Sequence, residues 1–479
     1  MKIISSQFET IVAIVTPSGE GAIGIIRLSG EKSLEIIKQI FVSNNLKSKF
    51  LKKIKSNYLY LGWIRDSKTL LNLDQVMVSY MQSPHSFTGE DVVEIFAHGN
   101  RIILQRIVKL ILRQNFVRIA EPGEFTKRAF LNGKMDLSQA ESVIDLIQAQ
   151  TEKSSELALE QLEGGLSNKI RSIYNHILYV LGYFEATFDF VDDDIPVIPQ
   201  KELFSKLQNA KRNIEKLLNS AEQGMLYKQG VKVVLIGFPN AGKSSLFNIL
   251  LQSERAIVSA IPGTTRDTLR EYIDIRGVPV ELTDTAGITK SENLVEKEGV
   301  RRSILALKTA DIILFLLDVT DSRNIDDFRK ELNKEMWDLV QNKKIVFVVT
   351  KIDKIKNTQL NIFIKKLQHP LIKKNLITQV SVKEEIGVNK LHKILEDVII
   401  GNKNLGTEDV LITNQRHQQS LKKSLEHLSL GIKAFKKDMV LDLVAIDLKV
   451  SLEALGEITG ETVSDEILHN IFSRFCVGK

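Results

Sequence analysis

Cysteine is nearly missing from this chain: Cys476 is the single one in 479 residues. One thiol excludes an intramolecular disulfide and a thiolate metal cluster, and it fits a reducing cytoplasm. No apolar run approaches the length needed to span a bilayer. The stretch Met1 to Gly21 has no basic segment leading into a cleavable apolar core, so no export signal is expected. Sequence repeats and low-complexity tracts are also absent.

What remains is an ordinary globular composition, 43% hydrophobic and 26% charged. The length calls for more than one domain. A net charge of +6 permits a polyanionic partner such as RNA. A plain Lys-rich surface explains the same charge equally well.

The most informative stretch is Val231 to Leu251. The β-branched run Val233 to Ile236 leads into Gly237. Four residues later come Gly242, Lys243 and Ser244, and then the apolar-periodic Leu246, Ile249 and Leu250. Strand, Gly-x-x-x-x-Gly-Lys-Ser and helix form the context of a phosphate-binding P-loop. Glycines let backbone N–H groups approach phosphate oxygens, and the helix N-terminus adds a positive dipole end. Lys243 is expected to reach the β- and γ-phosphates and Ser244 to bind Mg²⁺. Asn240, Ala241 and Ser245 belong to the same turn.

The motifs that follow point to guanine. Asp284-Thr285-Ala286-Gly287 follows the extended run Val280 to Thr283; its Asp suits a contact to Mg²⁺ through the ion's bound water, and the Gly287 N–H suits the γ-phosphate. Thr350-Lys351-Ile352-Asp353 ends the strand Ile345 to Val349. A carboxylate at Asp353 accepts two hydrogens from the guanine edge, a donor pair adenine lacks, while Lys351 braces the loop. Ser381-Val382-Lys383 sits where GTPases place their last base-contacting turn. Gly263-Thr264-Thr265-Arg266-Asp267 is placed as a switch, with Thr265 completing the Mg²⁺ shell. Each motif alone is weak; their order and strand contexts predict GTP binding. Ile288 follows Gly287, so no Gln stands where Ras-type enzymes orient the attacking water, and no arginine finger is assignable.

Around this centre the periodicity changes twice. Residues 1–119 read as α+β, with strands at Thr10–Val15, Ile23–Leu28, Tyr58–Trp63, Gln75–Tyr80 and Val92–Phe96, and helices at Ser33–Phe41 and Ile102–Leu112. Residues 120–229 read as helical: a segment opened by Pro122-Gly123-Glu124, a long helix N-capped by Asp136 and interrupted at Gly164-Gly165, a second stripe from Leu166 to Phe184, and a third helix ending near Gly224. Asp189 and Asp192 to Asp194 read first as a solvated helix-end loop and second as a metal site. Residues 230–401 carry the α/β nucleotide domain. Residues 402–479 are again helical, at Asn414–Phe435, Met439–Leu455 and Val463–Phe475. Flanking helices on both sides suggest that the α/β domain is inserted into one helical domain.

Three further stretches carry a family resemblance. The first is Thr10-Ile11-Val12-Ala13-Ile14 with Thr16-Pro17 and Gly24-Ile25-Ile26-Arg27-Leu28-Ser29-Gly30. The second joins Ser86-Phe87-Thr88-Gly89-Glu90-Asp91-Val92-Val93-Glu94 with Pro122 to Leu137. The third is Phe475-Cys476-Val477-Gly478-Lys479. Together with Pro239-Asn240-Ala241 and Gly263 to Asp267, they resemble the MnmE (TrmE) family of tRNA-modification GTPases from the first strand to the last residue.

The resemblance implies a multidomain chain: an α+β N-terminal folate-binding domain, an all-α helical domain and an inserted α/β Ras-like P-loop GTPase domain. It implies a cytoplasmic homodimer working with the flavoprotein MnmG (GidA). That complex installs an aminomethyl-type group at C5 of the tRNA wobble uridine, using a one-carbon unit from a tetrahydrofolate. The family's folate contacts fall on Arg27, Glu94, Lys134 and Lys479; for Arg27 and Glu94 the residues alone read as a strand-end ion pair. Its potassium site falls on Asn240, Ser259, Ile261 and Thr264, where K⁺ supplies the charge of an arginine finger. The water-orienting Glu falls on Glu296, with Glu292 and Glu298 nearby. On the residues alone, any of these reads as a solvated carboxylate.

The chain departs from the family pattern at Glu9, Glu20, Asn100, Thr350 and Val382. Cys476 reads first as a small buried hydrophobe and second as a thiol facing the folate site, acting on uridine C6. Two competing readings remain: a ribosome-assembly GTPase of the Era/Der type, and a dimerising switch in which GTP controls docking. The helical tail lacks the Gly-x-x-Gly KH module of Era-like chains.

Overall fold

The computed structural model describes residues 9–17, 19–43, 54–114, 116–189, 196–253, 270–284, 304–332, 334–367, 369–373, 375–401, 411–437 and 441–479. The first part is a seven-stranded sheet of β1 (Thr10–Ile14), β2 (Gly21–Ser29), β3 (Phe41–Ser43), β4 (Leu59–Arg65), β5 (Asn72–Met81), β6 (Val92–Gly99) and β7 (Val117–Ile119), in the order β3-β4-β5-β6-β2-β1-β7. Pairing is antiparallel except between β1 and β7. Alternation along the strands buries Ile26, Leu28, Ile64, Val76, Val78, Val93 and Ile95 beneath helices α1 (Ser33–Ile40) and α2 (Arg101–Ile111). β3 and β7 escape the sequence reading because three residues are too few to show a period; pairing with β4 and β1 makes them strands.

The helical part begins with α3 (Glu124–Leu131). Gly123 opens it at φ +70°, and a Cβ there would come within 2.6 Å of the Phe472 carbonyl. The expected long helix after Asp136 is instead two, α4 (Leu137–Gln148) and α5 (Glu152–Leu162). Asp136 does cap α4, in a box with Gln139. The break at Ala149–Thr151 exists because Thr151 caps α5, and its hydroxyl also donates to the Gly277 carbonyl at 2.8 Å. Then come α6 (Gly165–Asp189), α7 (Gln200–Asn219) and α8 (Ala221–Gln229). The third helix thus stops at Asn219, short of Gly224, and α8 follows at once. There Ser220 donates to the Leu217 carbonyl (2.7 Å) and accepts from Ile412 N (3.2 Å), so the returning chain crosses at the break.

The nucleotide domain is a six-stranded sheet in the order β13-β12-β11-β8-β10-β9. Its elements are β8 (Val231–Gly237), α9 (Lys243–Ser253), β9 (Arg270–Ile275), β10 (Val278–Asp284), β11 (Ile312–Asp318), α10 (Ile325–Glu331), α11 (Lys334–Gln341), β12 (Lys344–Thr350), α12 (Asn357–Lys366), α13 (Pro370–Lys373), β13 (Leu376–Val380) and α14 (Val388–Ile399). All pairs are parallel except β9–β10. β8 and β11 are apolar throughout their centres because helices cover both faces.

The chain then returns as α15 (Gln415–Lys436), α16 (Leu441–Thr459) and α17 (Asp465–Phe472). One apolar cluster combines Leu166 to Ala221 with Ile412 to Ile458. The helices before and after the nucleotide domain therefore share a core, as expected for an insertion.

Candidate functional site

The phosphate turn forms where β8 ends at the carboxyl edge of the parallel sheet, the usual ligand edge of such a sheet. Gly237 needs its lack of side chain because a Cβ would meet the Leu316 carbonyl at 2.7 Å; Gly242 sits at φ +91° before open space. Lys243 is buried, and its Nζ donates to the carbonyls of Gly237 (3.0 Å) and Phe238 (2.9 Å). Burial pushes this ammonium below its ordinary pKa, while Asp284 pulls the other way. Ser244 Oγ donates to Asp284 Oδ2 at 2.7 Å, and Asp284 Oδ1 is buried with no hydrogen-bond partner among the described residues. An orphaned carboxylate oxygen beside a hydroxyl suits a hydrated divalent cation. Ala241 is buried; Asn240, at φ +64°, and Ser245 are exposed.

The base side is tied to this turn. Thr350 Oγ1 donates to the Ala241 carbonyl (2.8 Å) and the Leu317 carbonyl (3.4 Å), so a hydroxyl in place of the usual amide still braces the turn. Lys351 Nζ reaches the Asn240 carbonyl and Asp318 Oδ2, both at 2.6 Å. Asp353 Oδ1 accepts from Ser381 Oγ at 2.5 Å, and that hydrogen bond holds the carboxyl below its ordinary pKa. Val382 is half-buried and Lys383 exposed. Lys243, Ser244, Asp284, Thr350, Lys351, Asp353 and Ser381 are thus joined into one site. Ser259, Ile261, Thr264, Thr265, Thr285, Ala286, Gly287 and Glu296 lie outside the described residues, as do Asp192 to Asp194.

A second constellation lies on the first sheet. Arg27 and Glu94 are register partners on β2 and β6, with Nη2–Oε1 at 2.7 Å. The guanidinium lies 5.6 Å from the Phe87 ring centroid and 5.7 Å from that of Phe125, aromatics that the sequence reading did not single out. Lys479 joins them: burial and then Arg27 push its pKa down, while Glu94 and Cys476 push it up. Its position is fixed by backbone, with Phe125 N donating to the Lys479 carbonyl (3.2 Å) and Pro122 bridged to Val477. Gly478, at φ +104°, passes where a Cβ would meet the Ile14 carbonyl at 2.9 Å. Lys134 Nζ donates to the Pro84 carbonyl (3.0 Å) on the loop that carries Phe87. Cys476 is exposed, which removes the buried-hydrophobe reading.

Sequence reasoning missed the network behind this constellation. Buried Arg128 bonds Glu90 (3.0 Å) and Glu124 (2.8 Å), Glu90 accepts from Ser29 (2.7 Å), and Glu124 pairs with Arg118 (2.6 Å). Burial raises the Glu124 carboxyl, yet Arg118, the Glu121 N–H and Arg128 together hold it at about 2. Only the i,i+4 spacing of Glu124 and Arg128 on α3 hints at these contacts in the sequence.

Two family models match the chain: MnmE helical domain over residues 137–476, and GTP-binding protein TrmE N-terminus over residues 10–134. The tRNA modification GTPase MnmE of Alkaliphilus oremlandii is 41% identical over 471 residues, covering 98% of this chain and 99% of its own. That of Thermoanaerobacter sp. is 42% identical over 472 residues, covering 98% and 100%. Among solved structures, Aquifex aeolicus Era bound to GDP and AlF4⁻ matches 42% of this chain and 68% of its own, at 24% identity and a TM-score of 0.30. With relatives of this identity aligned along almost their whole length, the chain belongs to the MnmE family of tRNA modification GTPases.

Proposed function

We propose that this chain is a potassium-dependent GTPase of tRNA modification. With a flavoprotein partner of the MnmG type, it adds an aminomethyl-type group at C5 of the wobble uridine, using a tetrahydrofolate one-carbon unit. The observation that carries the nucleotide half is the tie of the turn that bears Lys243 and Ser244, with Asp284 behind it, to the Thr350–Asp353 loop through the bonds of Lys351 to the Asn240 carbonyl and of Thr350 to the Ala241 carbonyl.

In this reading Lys243 binds the β- and γ-phosphates of GTP, and Ser244 and Thr265 hold Mg²⁺ with Asp284 behind them. Asp353 reads guanine, Lys351 braces the loop, and the Ser381–Lys383 turn closes over the base. Asn240, Ser259, Ile261 and Thr264 would hold K⁺, which supplies positive charge beside the phosphates. Glu296 orients the attacking water, since no Gln follows Gly287.

Arg27, Glu94, Lys134 and Lys479 would hold the folate, which supplies the one-carbon unit. The residues fit it: cations suit a glutamate tail, a carboxylate suits a pterin edge, and half-buried Phe87 offers a ring face, while Phe125 lies buried beneath the Arg27 guanidinium. Cys476 lies beside them as the candidate thiol.

A homodimer is supported by the open face of the first sheet. Leu61, Met77, Phe96 and Ile25 stand in register across β4, β5, β6 and β2, with Leu61 53% and Met77 39% exposed. Exposed Val42, Leu59 and Ile23 extend the patch, a contiguous apolar surface of the kind that marks an interface. Arg27 and Glu94 alternate onto this same face, so a second copy would cover the folate site. No helix among the described residues is long and apolar enough to cross a membrane.

The test is nucleoside mass spectrometry of tRNA from cells lacking this chain, complemented by the wild type or by Lys479→Ala. Loss of C5-aminomethyl-type wobble uridines, restored by the wild type alone, is expected. Unchanged nucleosides would refute the proposal.

A further inference from the structure

We infer that Arg323 is a positioning residue for the phosphate-binding turn, acting through Phe238. Its guanidinium carbon lies 3.9 Å from the centroid of the Phe238 ring, close enough for a cation–π contact. Asp321 fixes the guanidinium by three side-chain bonds, from Nε to both carboxylate oxygens at 3.1 Å and from Nη2 at 2.6 Å, and accepts from the Arg323 backbone N at 3.0 Å. Phe328 on α10 packs against the same ring in a T-shaped pair, with centroids 5.2 Å apart. Phe238 is therefore held both by a fixed cation and by the core it is buried in.

What the clamp holds is the Phe238 carbonyl, next to the Gly237 carbonyl at the start of the turn. Phe238 O accepts from Lys243 Nζ (2.9 Å) and from Ala241 N (3.2 Å), so the lysine and the tight turn both hang on one peptide plane. The same short loop serves the base side. Asp321 N donates to the Asp318 carbonyl (3.1 Å), and Asp318 Oδ2 accepts from Lys351. Asp318 to Arg323 thus secures the phosphate turn at one end and the guanine-reading loop at the other. Neither Arg323 nor Phe238 need touch the nucleotide for this. The sequence gives no sign of it, since Arg323 lies eighty-five positions beyond Phe238 and outside every nucleotide motif.

The inference rests on the nucleotide-site reading, and the two fail separately. If the wild-type chain does not bind fluorescent GDP or GTP analogues, that reading falls. If it binds them, Arg323 variants test the clamp. Losing an exposed cation–π contact is worth about a two- to fivefold change in equilibrium. Arg323→Ala in the full-length chain is expected to speed dissociation of both analogues and raise KM for GTP by that factor, with a smaller change in kcat. Arg323→Lys, which keeps the cation and loses the planar fork, should fall between. Phe238→Leu and the double variant complete a cycle, and their effects on dissociation should be less than additive because both remove one contact. Additive effects, or an Arg323→Ala chain that holds both analogues as the wild type does, would overturn the inference. So would a slowdown of binding matched by loss of nucleotide-free thermal stability that Arg323→Lys fails to restore.

Discussion

Replacing Glu141 by alanine should cost this protein more than any surface change of equal size. Glu141, on α4, is buried, with 7% of its side chain exposed. It accepts two bonds from Arg416 (3.0 and 2.9 Å) and one contact from His417 Nε2 (2.6 Å), both at the start of α15. Arg416 also donates to the carbonyls of Glu457 and Ile458 on α16. The carboxylate is thus the knot between helices that precede and follow the inserted domain. Removing one partner of a buried ion pair strands the other charge and costs about 3–5 kcal/mol. For a helical body of this size that is roughly 6–20 °C in melting temperature. Calorimetry on the full chain should show that loss for Glu141→Ala, whereas Glu141→Leu combined with Arg416→Met and His417→Leu should recover most of it, since no charge is left unpaired. Acid titration gives a second check. Burial would raise this carboxyl, but His417 and Arg416 hold it at about 2 against an ordinary 4.5. Its stabilisation is therefore complete above about pH 4.5 and lost as pH falls towards 2. His417, pushed down by burial, must take up a proton on unfolding in acid, which works in the same direction. A loss under about 1 kcal/mol for Glu141→Ala would refute the reasoning, because a charge that costly to strand cannot be in a wet or relaxed site.

Three other outcomes follow from the geometry. Asp353→Asn should weaken GTP by about a hundredfold or more, through loss of two charge-assisted bonds, and improve xanthosine triphosphate, whose base edge offers an acceptor to the new amide; competition binding measures both. Thr151→Val should lower stability by about 1 kcal/mol by uncapping α5 and releasing the Gly277 carbonyl, while Thr151→Ser should keep most of it, as read by denaturant midpoints. Leu61→Glu with Met77→Glu should convert the proposed dimer to a monomer in light scattering without lowering the helical transition, since both side chains lie on the open sheet face.

The nucleotide domain was the most legible part because its chemistry is local. Gly242, Lys243 and Ser244 follow one strand, and Asp284, Thr350 and Ser381 each end or follow another, so strand order brings them to one edge. The insertion was legible too, because the stripes from Leu166 and from Asn414 face each other. Breaks inside helices were not. Ala149–Thr151 carries no Gly or Pro; what ends α4 there is the demand of Thr151 for Gly277, a residue across a domain boundary. The α7–α8 break likewise depends on Ile412, which lies far along the chain. Arg27 and Glu94 show the limit of spacing arguments. Their pairing follows from sheet register, but the approach of Lys479 and of the Phe87 and Phe125 rings needs the whole fold.

The two candidate sites also differ in how they are assembled, and α4 stands between them. The described residues of the nucleotide site all lie at one edge of a single sheet. The site around Arg27 needs residues 27, 94, 134 and 479 at once, hence the first sheet, the turn before α4 and the segment after α17. One face of α4 supplies Leu137 and Ala140 to a small core with Leu468, Phe472 and Phe475, which sets where Cys476 to Lys479 run. Another face carries Glu141 to Arg416, and Asp145 to Lys228 at 2.6 Å, three residues before β8 begins. Burial raises the Asp145 carboxyl against the pull of Lys228, so its loss of hydration outweighs the attraction of that partner. A single helix thus fixes the segment that approaches Arg27 and Glu94 and the strand that enters the nucleotide domain. Changes that disturb α4 should therefore reach both sites, whereas changes within either sheet should reach its own.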